Sequence, residues 1–527
     1  MAKFNLLKRK KRETTNYMGA KAYKYDAKFE LVSLLLTSFA EDSYYRSSGE
    51  GIKAMLALLA KVDPMFAAKA AIFARDEFNM RSITHVLAAE LAAYLSGKEW
   101  AKEFYNCIVV RPDDMLEIVA YYYAKGGKTL PNAMKKGFAK AFERFDAYQL
   151  AKYRRAKGDV KLVDLANLVH PKPVQRNKEA LKALIEDTLR NEKTWEAQLT
   201  KAGKADGDKA TKETAKREAW EGLILSGKMG YMALLRNLRN LITSGISEAA
   251  MDKALGYLTN PTAVSRSRQF PFRFLSAYAE IEKLKGASTT KGTLVFEKDT
   301  VDSKLVKRVL NAIETAINLS IANLPLLSGE TVILTDNSGS MRGDGGGSSA
   351  LSAMSKVKTA DIANLFATMY WSRCDNTVVG LFGDRLAMPK LDRKKGLFDN
   401  FKKVNAEGGK VGLGTEAGIF TMFEKLIKER RMVDRIVIFS DMQIGTGCSW
   451  YDTKGRRGDD FNKLWEKYRK INPNVRVYSI YLRGCGTTVF KGNVYKLAGW
   501  SEKIFSLMEL LEQDRNAMIT AINDIKL

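Results

Sequence analysis

Apolar residues recur at spacings of three and four positions from about residue 28 to residue 324, a pattern that predicts α-helices through this region. Pro64, Pro112 and Pro131 each stand where a new helix would begin, the position at which the missing N–H group costs least. Short helices in close succession predict a solenoid, in which helix pairs stack around a shared core in a HEAT-like manner. The pattern is clearest in four stretches: 50–62, 64–78, 83–95 and 114–125.

The pattern changes after Pro325. Apolar, β-branched runs of strand length alternate with helical stretches, which is typical of a doubly wound, mostly parallel sheet covered by helices. The predicted strands are 331–336, 377–384, 435–442 and 475–482, and the predicted helices between them are 352–371, 415–431 and 460–470. We therefore expect a basic N-terminal arm (1–27), a helical domain (28–325) and an α/β domain (326–527).

The net charge of +26, with a pI near 9.6, adds a functional indication to this organisation. About +18 lies in the first 325 residues and about +8 in the remainder. A charge of this size favours an anionic partner, and nucleic acid is the leading candidate. The alternative is that lysine-rich helices are simply solvated faces. Because the chain has neither a secretory signal nor an apolar run of the ~20 residues that span a bilayer, we expect a cytoplasmic protein without a membrane partner.

Cysteine and histidine usage excludes several classes of site. The four cysteines are scattered without a C-x-x-C pair, which argues against a zinc ribbon or a disulfide framework. The two histidines are His85 and His170, and neither stands beside a nucleophile-like turn. A hydrolase that uses a Ser–His–Asp or Cys–His arrangement is therefore disfavoured.

Asp336, Ser338 and Ser340 form a D-x-S-x-S arrangement at the end of the first predicted strand. Thr415, in a glycine-rich loop, and Asp441, after a buried strand, would add oxygen atoms at the same sheet edge. Such hard oxygen donors suit a divalent metal, most of all Mg²⁺. The set resembles the metal-ion-dependent adhesion site of von Willebrand factor A domains, which implies that fold for the α/β domain. Taken singly, Ser340 or Thr415 could equally be a turn former or a helix cap.

Three stretches of the helical part carry a further resemblance: 162–173 (LVDLANLVHPKP), 230–241 (GYMALLRNLRNL) and 267–278 (SRQFPFRFLSAY). They resemble the motifs of the TROVE module, and a TROVE region followed by an A domain is the order found in the Ro autoantigen family and its bacterial or phage relatives. The resemblance implies a ring of HEAT-like repeats with a basic hole. It also implies a non-catalytic, monomeric protein that binds Y-RNA-like small RNAs and single-stranded ends of misfolded RNAs, in RNA quality control or as an adaptor to an exoribonuclease.

The candidate RNA-binding residues are basic side chains that can reach phosphates, some of them beside aromatic rings on which unpaired bases can stack. Tyr148 and Tyr153 stand among the basic residues of 147–161. The resemblance associates His170 with RNA binding, whereas the alternative is a helix-end residue packed before Pro171. The predicted set is Lys136, Lys140, Arg144, Lys152, Arg154, Arg155, Lys157, His170, Lys172, Arg236 and Arg239, with the basic stretch 8–12 as a mobile arm.

Several alternatives stay open. Asn237 and Asn240, between the two arginines of 230–241, either extend a polar stripe that faces RNA or satisfy backbone groups between repeats. The A domain either accompanies RNA binding or makes the protein a metal-dependent scaffold, with a partner's carboxylate as a ligand. Hydrolysis at Asp336 and Asp441 is the least supported function, because no general base is evident and hydroxyl-rich single-metal sites favour binding over water activation.

Overall fold

The computed structural model describes most of the chain. The chain divides into two compact units: the first contains residues 1–95 and 324–527, and the second contains residues 96–323. The predicted basic arm at 8–12 lies outside the described residues. None of the described helices is both long and apolar enough to cross a bilayer. The described ranges are 13–16, 19–24, 26–37, 48–154, 158–192, 194–285, 302–322, 324–344, 349–350, 356–445, 461–483, 487–490, 494–514 and 516–527.

The first described elements of the first unit are the two strands of a β-hairpin, within the stretch that the sequence predicted only as an arm. Its strands pair antiparallel with Thr14 opposite Ala22. The helices that follow start where the sequence indicates, since Asp63 accepts a hydrogen bond from the Phe66 N–H and Pro64 is the first helical residue. The elements are β1 (Glu13–Thr15), β2 (Lys21–Lys24), α1 (Ala27–Thr37), α2 (Ser48–Leu59), α3 (Pro64–Asp76) and α4 (Ser82–Glu90).

All the secondary-structure elements described in the second unit are helices, as the spacing of apolar positions predicts. Helix starts coincide with Pro112 and directly follow Pro131. Its helices are α5 (Ala101–Cys107), α6 (Pro112–Ala124), α7 (Asn132–Phe142), α8 (Ala147–Tyr153), α9 (Leu162–Val169), α10 (Lys178–Ile185), α11 (Trp195–Gly203), α12 (Lys209–Leu225), α13 (Tyr231–Thr243), α14 (Glu248–Leu258), α15 (Pro261–Ser267), α16 (Pro271–Glu282) and α17 (Ser303–Ser320).

The C-terminal part of the first unit alternates strands and helices. Its elements are β3 (Thr331–Asp336), α18 (Gly339–Arg342), α19 (Thr359–Arg373), β4 (Thr377–Phe382), β5 (Leu386–Ala387), α20 (Leu397–Gly408), α21 (Ala417–Lys428), β6 (Arg435–Ser440), α22 (Phe461–Ile471), β7 (Arg476–Tyr481), β8 (Thr487–Thr488), β9 (Tyr495–Ala498), α23 (Lys503–Gln513) and α24 (Ala517–Asn523).

Six of these strands form a sheet in the order β5-β4-β3-β6-β7-β9, and all neighbours are parallel except β5, which runs antiparallel to β4. Every residue of β3 and β6 is buried, as expected for strands covered on both faces. The chain leaves β3 first to β4 on one side and later to β6 on the other, so the strand order switches there. The predicted fold class, helices followed by a doubly wound and mostly parallel sheet, is confirmed.

The N-terminal hairpin belongs to the unit that contains this sheet. β2 pairs with β8, with Tyr23 opposite Thr488. The Asn16 side chain donates a hydrogen bond to the Ile444 carbonyl at 2.7 Å. Long-range pairing of this kind cannot be inferred from the period of apolar residues, because strand partners depend on tertiary contacts.

A buried ion pair joins the amino end of β6 to helix α23. Both carboxylate oxygens of Glu512 accept hydrogen bonds from the Arg435 guanidinium, at 2.6 and 3.0 Å, and Tyr478 donates a further one at 2.8 Å. Burial alone would raise the pKa of Glu512, but the hydrogen bonds from Arg435 and Tyr478 outweigh it and hold that pKa below its usual value.

Replacing Glu512 with alanine should lower the free energy of unfolding of the first unit by about 3 kcal/mol at neutral pH, because Arg435 is left buried without a counter-ion. The stabilisation is present above the unfolded-chain pKa of about 4.3 and is lost as the pH falls through the lower folded-state value. Urea denaturation at several pH values measures both effects. The control is E509A, an exposed residue of the same helix, and equal losses for both variants would contradict the prediction.

Candidate functional sites

The D-x-S-x-S turn brings one carboxylate and two hydroxyls together at the carboxyl end of β3. Asp336 is fully buried, and its Oδ1 accepts a hydrogen bond from the Ser338 N–H at 3.0 Å. Its Oδ2 accepts one from the Ser440 hydroxyl at 2.5 Å. The hydroxyl oxygens of Ser338 and Ser340 lie 3.3 Å apart. These oxygens form the predicted arrangement at one edge of the sheet.

Asp441 supplies the second buried carboxylate. It directly follows β6, and its Oδ1 accepts a hydrogen bond from the Gln443 N–H at 3.0 Å. Its Oδ2 is buried without a hydrogen-bond partner within the described part of the chain. Burial, and secondly the charge of Asp441, raise the pKa of Asp336 to about 7, and burial also raises the pKa of Asp441. The site therefore concentrates negative charge in a buried place.

A third buried carboxylate, Glu416, lies near this pair and was not predicted. Its Oε2 accepts a hydrogen bond from the Gly445 N–H at 3.0 Å, which joins the glycine-rich loop to the loop after β6. Burial, followed by the charge of Asp336, raises the pKa of Glu416 well above its usual value. Its place next to Thr415 was the only signal available, because nothing in the residue pattern shows that this glutamate is buried.

Thr415 lies in the expected loop, but its hydroxyl donates a hydrogen bond to Asp384 Oδ1 at 2.9 Å. The Gly414 N–H donates to the other carboxylate oxygen of Asp384 at 3.3 Å. Gly412 adopts a φ of +91°, and a Cβ there would collide with the Asp384 carboxylate. Asp384, which sequence reasoning did not identify, therefore fixes the conformation of this loop.

A hydrogen-bond network of asparagine side chains and Arg342 holds the D-x-S-x-S turn in place. The Asn364 side chain donates to Asn337 Oδ1 and to Asn405 Oδ1, both at 2.9 Å. Arg342 donates to Asn337 Oδ1 at 3.0 Å and to the Asn405 side chain at 2.8 Å. The turn is thus held by groups on α19 and α20. The guanidinium of the R-G-D sequence at 342–344 is part of this network.

The donor chemistry of this site fits a hard divalent cation. It offers carboxylate and hydroxyl oxygens, and one buried carboxylate oxygen lacks a partner. Within the described residues, no three side chains of His, Cys, Asp or Glu lie close enough together to hold a metal alone. An ion here would therefore need serine and water oxygens in addition to Asp336 and Asp441, which is the kind of coordination that Mg²⁺ accepts.

In the helical unit, two predicted RNA-binding residues, Lys140 on α7 and Arg144 just after it, already have protein partners. The Lys140 ammonium lies 2.9 Å from Glu103 Oε2. The Arg144 guanidinium donates hydrogen bonds to the carbonyls of Asn106 at 2.7 Å and Val109 at 2.6 Å. Both residues border an open cleft of about 700 Å³. Arg144 therefore has a structural role at least, whereas Lys136 on α7 is exposed.

The basic residues around α8 surround two tyrosines, as expected. The Lys152 ammonium is 5.9 Å from the ring centroids of both Tyr148 and Tyr153, and 3.6 Å from Glu196. Arg154 donates to Asp187 at 3.3 Å and also to a backbone carbonyl of the same loop. Tyr148 is 38% exposed, so one ring is available for stacking. The predicted residues Arg155 and Lys157 lie outside the described residues.

His170 ends α9 with a left-handed backbone, φ 49°. Its side chain is exposed and Pro171 is buried, so the packed helix-end alternative holds for the proline and not for the imidazole. Lys172 is exposed beside it. His85, in contrast, is buried within α4. The structure therefore brings His170 and Lys172 to the surface together.

On α13, Arg236 and Arg239 are exposed, whereas the side chains of Asn237 and Asn240 form hydrogen bonds within the helix. Asn240 donates to Asn237 Oδ1 at 2.8 Å, and Asn237 donates to the Ala233 carbonyl at 2.8 Å. These bonds favour the interpretation that the asparagines satisfy polar groups of their own helix. Arg239 lies 3.7 Å from Glu280.

Comparison with known proteins gives three findings. The model of the TROVE domain matches residues 21–215 and 204–298, more than half of the chain. Telomerase protein component 1 is 23% identical in Rattus norvegicus and 22% in Mus musculus, over 92% and 88% of this chain. The chain spans only 24% and 23% of the length of these relatives. The crystal structure of Deinococcus radiodurans RO (RSR) protein matches with a TM-score of 0.56 at 16% identity, covering 94% of this chain and 99% of that one, which shows a shared fold.

The charge of the D-x-S-x-S site predicts an unusual effect of one substitution. In the presence of a chelator, Asp441→Asn should raise the thermal midpoint of the first unit by roughly 2–4 °C, because a buried negative charge near Asp336 is removed. Circular dichroism melts measure the shift. The control is D375N at an exposed aspartate of the same unit. A lower midpoint for D441N in chelator would show that protein groups alone stabilise this carboxylate.

Proposed function

The chain belongs to the TROVE-domain family, and from this membership we propose that its function is to bind RNA through the helical unit. The observation that carries the proposal is the net charge of about +13 in residues 96–323, the helical unit, together with exposed basic side chains on several of its helices. Lys136, His170, Lys172 and Arg236 are exposed, so they are accessible to phosphates.

We propose that the RNAs are small structured non-coding RNAs and the single-stranded ends of misfolded RNAs. Phosphate contacts by lysine and arginine do not depend on base pairing, whereas stacking on an exposed ring requires an unpaired base. Tyr148, which is exposed beside Lys152, supports binding of single strands. The protein would act without catalysis, in RNA quality control or as an adaptor that presents RNA to an exoribonuclease.

We further propose that the D-x-S-x-S site binds Mg²⁺ through Asp336, Ser338, Ser340 and Asp441, with Thr415 in the adjoining loop. A bound ion would supply positive charge that attracts an acidic side chain of a protein partner. The 40% exposed Leu413, whose carbonyl accepts a hydrogen bond from the Gly339 N–H at 2.9 Å, supports this as a contact surface. Partner capture by the A domain would thus complement RNA binding by the helical unit.

The RNA proposal predicts salt-dependent binding to an RNA with a single-stranded 3′ end. Each phosphate contact on a single strand adds about 0.7 to the slope of log affinity against log salt concentration. The double variant K136Q/K172Q should reduce that slope by about 1.4 and weaken binding about tenfold. The measurement is fluorescence anisotropy at several salt concentrations.

The charge-matched control for this experiment is K394Q/K395Q, at exposed lysines of the other unit. It should change neither the slope nor the affinity. If the wild-type chain binds this RNA no better than it binds polyglutamate at physiological salt, the RNA proposal fails.

The metal proposal predicts that Mg²⁺ stabilises the first unit. A ligand at one hundred times its Kd stabilises a folded protein by about 2.7 kcal/mol, so the thermal midpoint should rise with Mg²⁺. S338A/S340A should lose this response, and S328A, at an exposed serine of the same unit, should keep it. A midpoint that does not respond to Mg²⁺ in the wild type would contradict metal binding.

A further inference from the structure

We propose that Arg236 on α13 and Arg273 on α16 together form a binding site for one backbone phosphate of RNA. The proposal rests on the proposed RNA-binding function and deepens it, because it adds Arg273 and the segment around it to the RNA surface. The packing of the two helices, the exposure of both arginines and the lack of acidic residues at positions 222–247 and 253–279 carry it.

Helices α13 and α16 pack against each other. Tyr231 of α13 contacts Phe274 of α16 edge to face, with ring centroids 6.4 Å apart. Both arginines are exposed, although the neighbouring apolar side chains are buried. The two arginines therefore lie on neighbouring helices whose apolar side chains pack together.

The base beneath Arg273 is aromatic and rigid. Its guanidinium lies over the Phe272 ring, 5.1 Å from the centroid. Phe272 stacks on Phe270 with centroids 5.2 Å apart and ring planes 13° apart, and both rings are buried. Stacking on a ring restricts the guanidinium plane, which lowers the entropy cost of binding a phosphate in one orientation.

The stretches of chain around the two arginines lack acidic residues, and the two glutamates of α16, Glu280 and Glu282, lie at its carboxyl end. No Asp or Glu occurs between Glu221 and Glu248, or between Asp252 and Glu280. Glu280 is paired with Arg239 at 3.7 Å and also with Lys283. Two more exposed arginines lie nearby in the chain, Arg266 in the last turn of α15 and Arg268 directly after that helix.

The electrostatics of Arg273 agree with this placement. Although the Arg273 side chain reaches the surface, the packing of neighbouring atoms around it, and secondly the charge of Arg236, lower its pKa. Two like charges placed together raise the energy of the folded chain unless an anion binds between them. A phosphodiester fits this requirement, because its oxygens accept paired hydrogen bonds from planar guanidinium groups.

The test uses the full-length chain and a single-stranded oligouridylate, with affinity measured across a series of salt concentrations. R236Q and R273Q should each weaken binding about fivefold. The double variant should weaken it only about tenfold, less than the product, because both residues act on one phosphate. Its salt slope should fall by about 0.7, the value for one phosphate on a single strand.

Two further variants separate this role from general charge or folding effects. R273K keeps the charge and should retain the salt slope. R217Q removes an exposed arginine of the same unit that is flanked on its helix by Glu213 and Glu221, and it should bind as the wild type does. Thermal melts check that each variant is folded. If R273Q does not fold, R236Q and R273K still test the proposal.

The outcomes distinguish this proposal from the function on which it rests. If the wild type binds the oligonucleotide and the double variant retains the wild-type affinity and slope, the site is wrong while RNA binding stands. If the loss of affinity in the double variant equals the product of the losses in the two single variants, the two arginines do not bind the same phosphate. A wild-type chain that does not bind RNA overturns both.

Discussion

The parallel pairing of β3 with β6 is the constraint on which the D-x-S-x-S site depends. Their register, from Thr331 opposite Arg435 to Thr335 opposite Phe439, ends both strands at the same edge of the sheet. Asp336 and Asp441 therefore meet there, although they are far apart in sequence. Because every residue of both strands is buried, a shift in register would move charged groups into the apolar core, and the pairing is strongly specified.

The cost of placing these carboxylates together is offset by a surrounding set of polar contacts. Hydrogen bonds from Ser440 and from backbone N–H groups satisfy most of the carboxylate oxygens. The amide network of Asn337, Asn364 and Asn405 fixes the turn that carries the two serines. Among the described residues of the site, one buried carboxylate oxygen, Oδ2 of Asp441, has no hydrogen-bond partner. The fold thus holds these oxygen atoms together at one edge of the sheet.

The helical unit distributes its charge in a different way. Some basic residues, such as Arg144 and Arg154, use their guanidinium groups to hold loops through carbonyl oxygens. Others, such as Lys136 and Arg236, lie on exposed helix faces. The basic residues of this unit therefore serve two purposes: some form hydrogen bonds within the protein, and others provide surface charge. Only the exposed group can contribute strongly to a salt-dependent interaction with an anionic polymer.

The sequence by itself determined the element types, because the period of apolar residues reports which face of a helix or strand is buried. It also identified the strand that ends at Asp336 and the strand that Asp441 directly follows, since β-branched runs and polar turns are local signals. The roles of Glu416, Asp384 and Arg273 were decided only by the tertiary structure. Burial, hydrogen-bond partners and neighbouring charges arise from residues distant in the chain, and no local pattern records them. For the same reason the N-terminal hairpin, whose partner strand is β8, could not be foreseen.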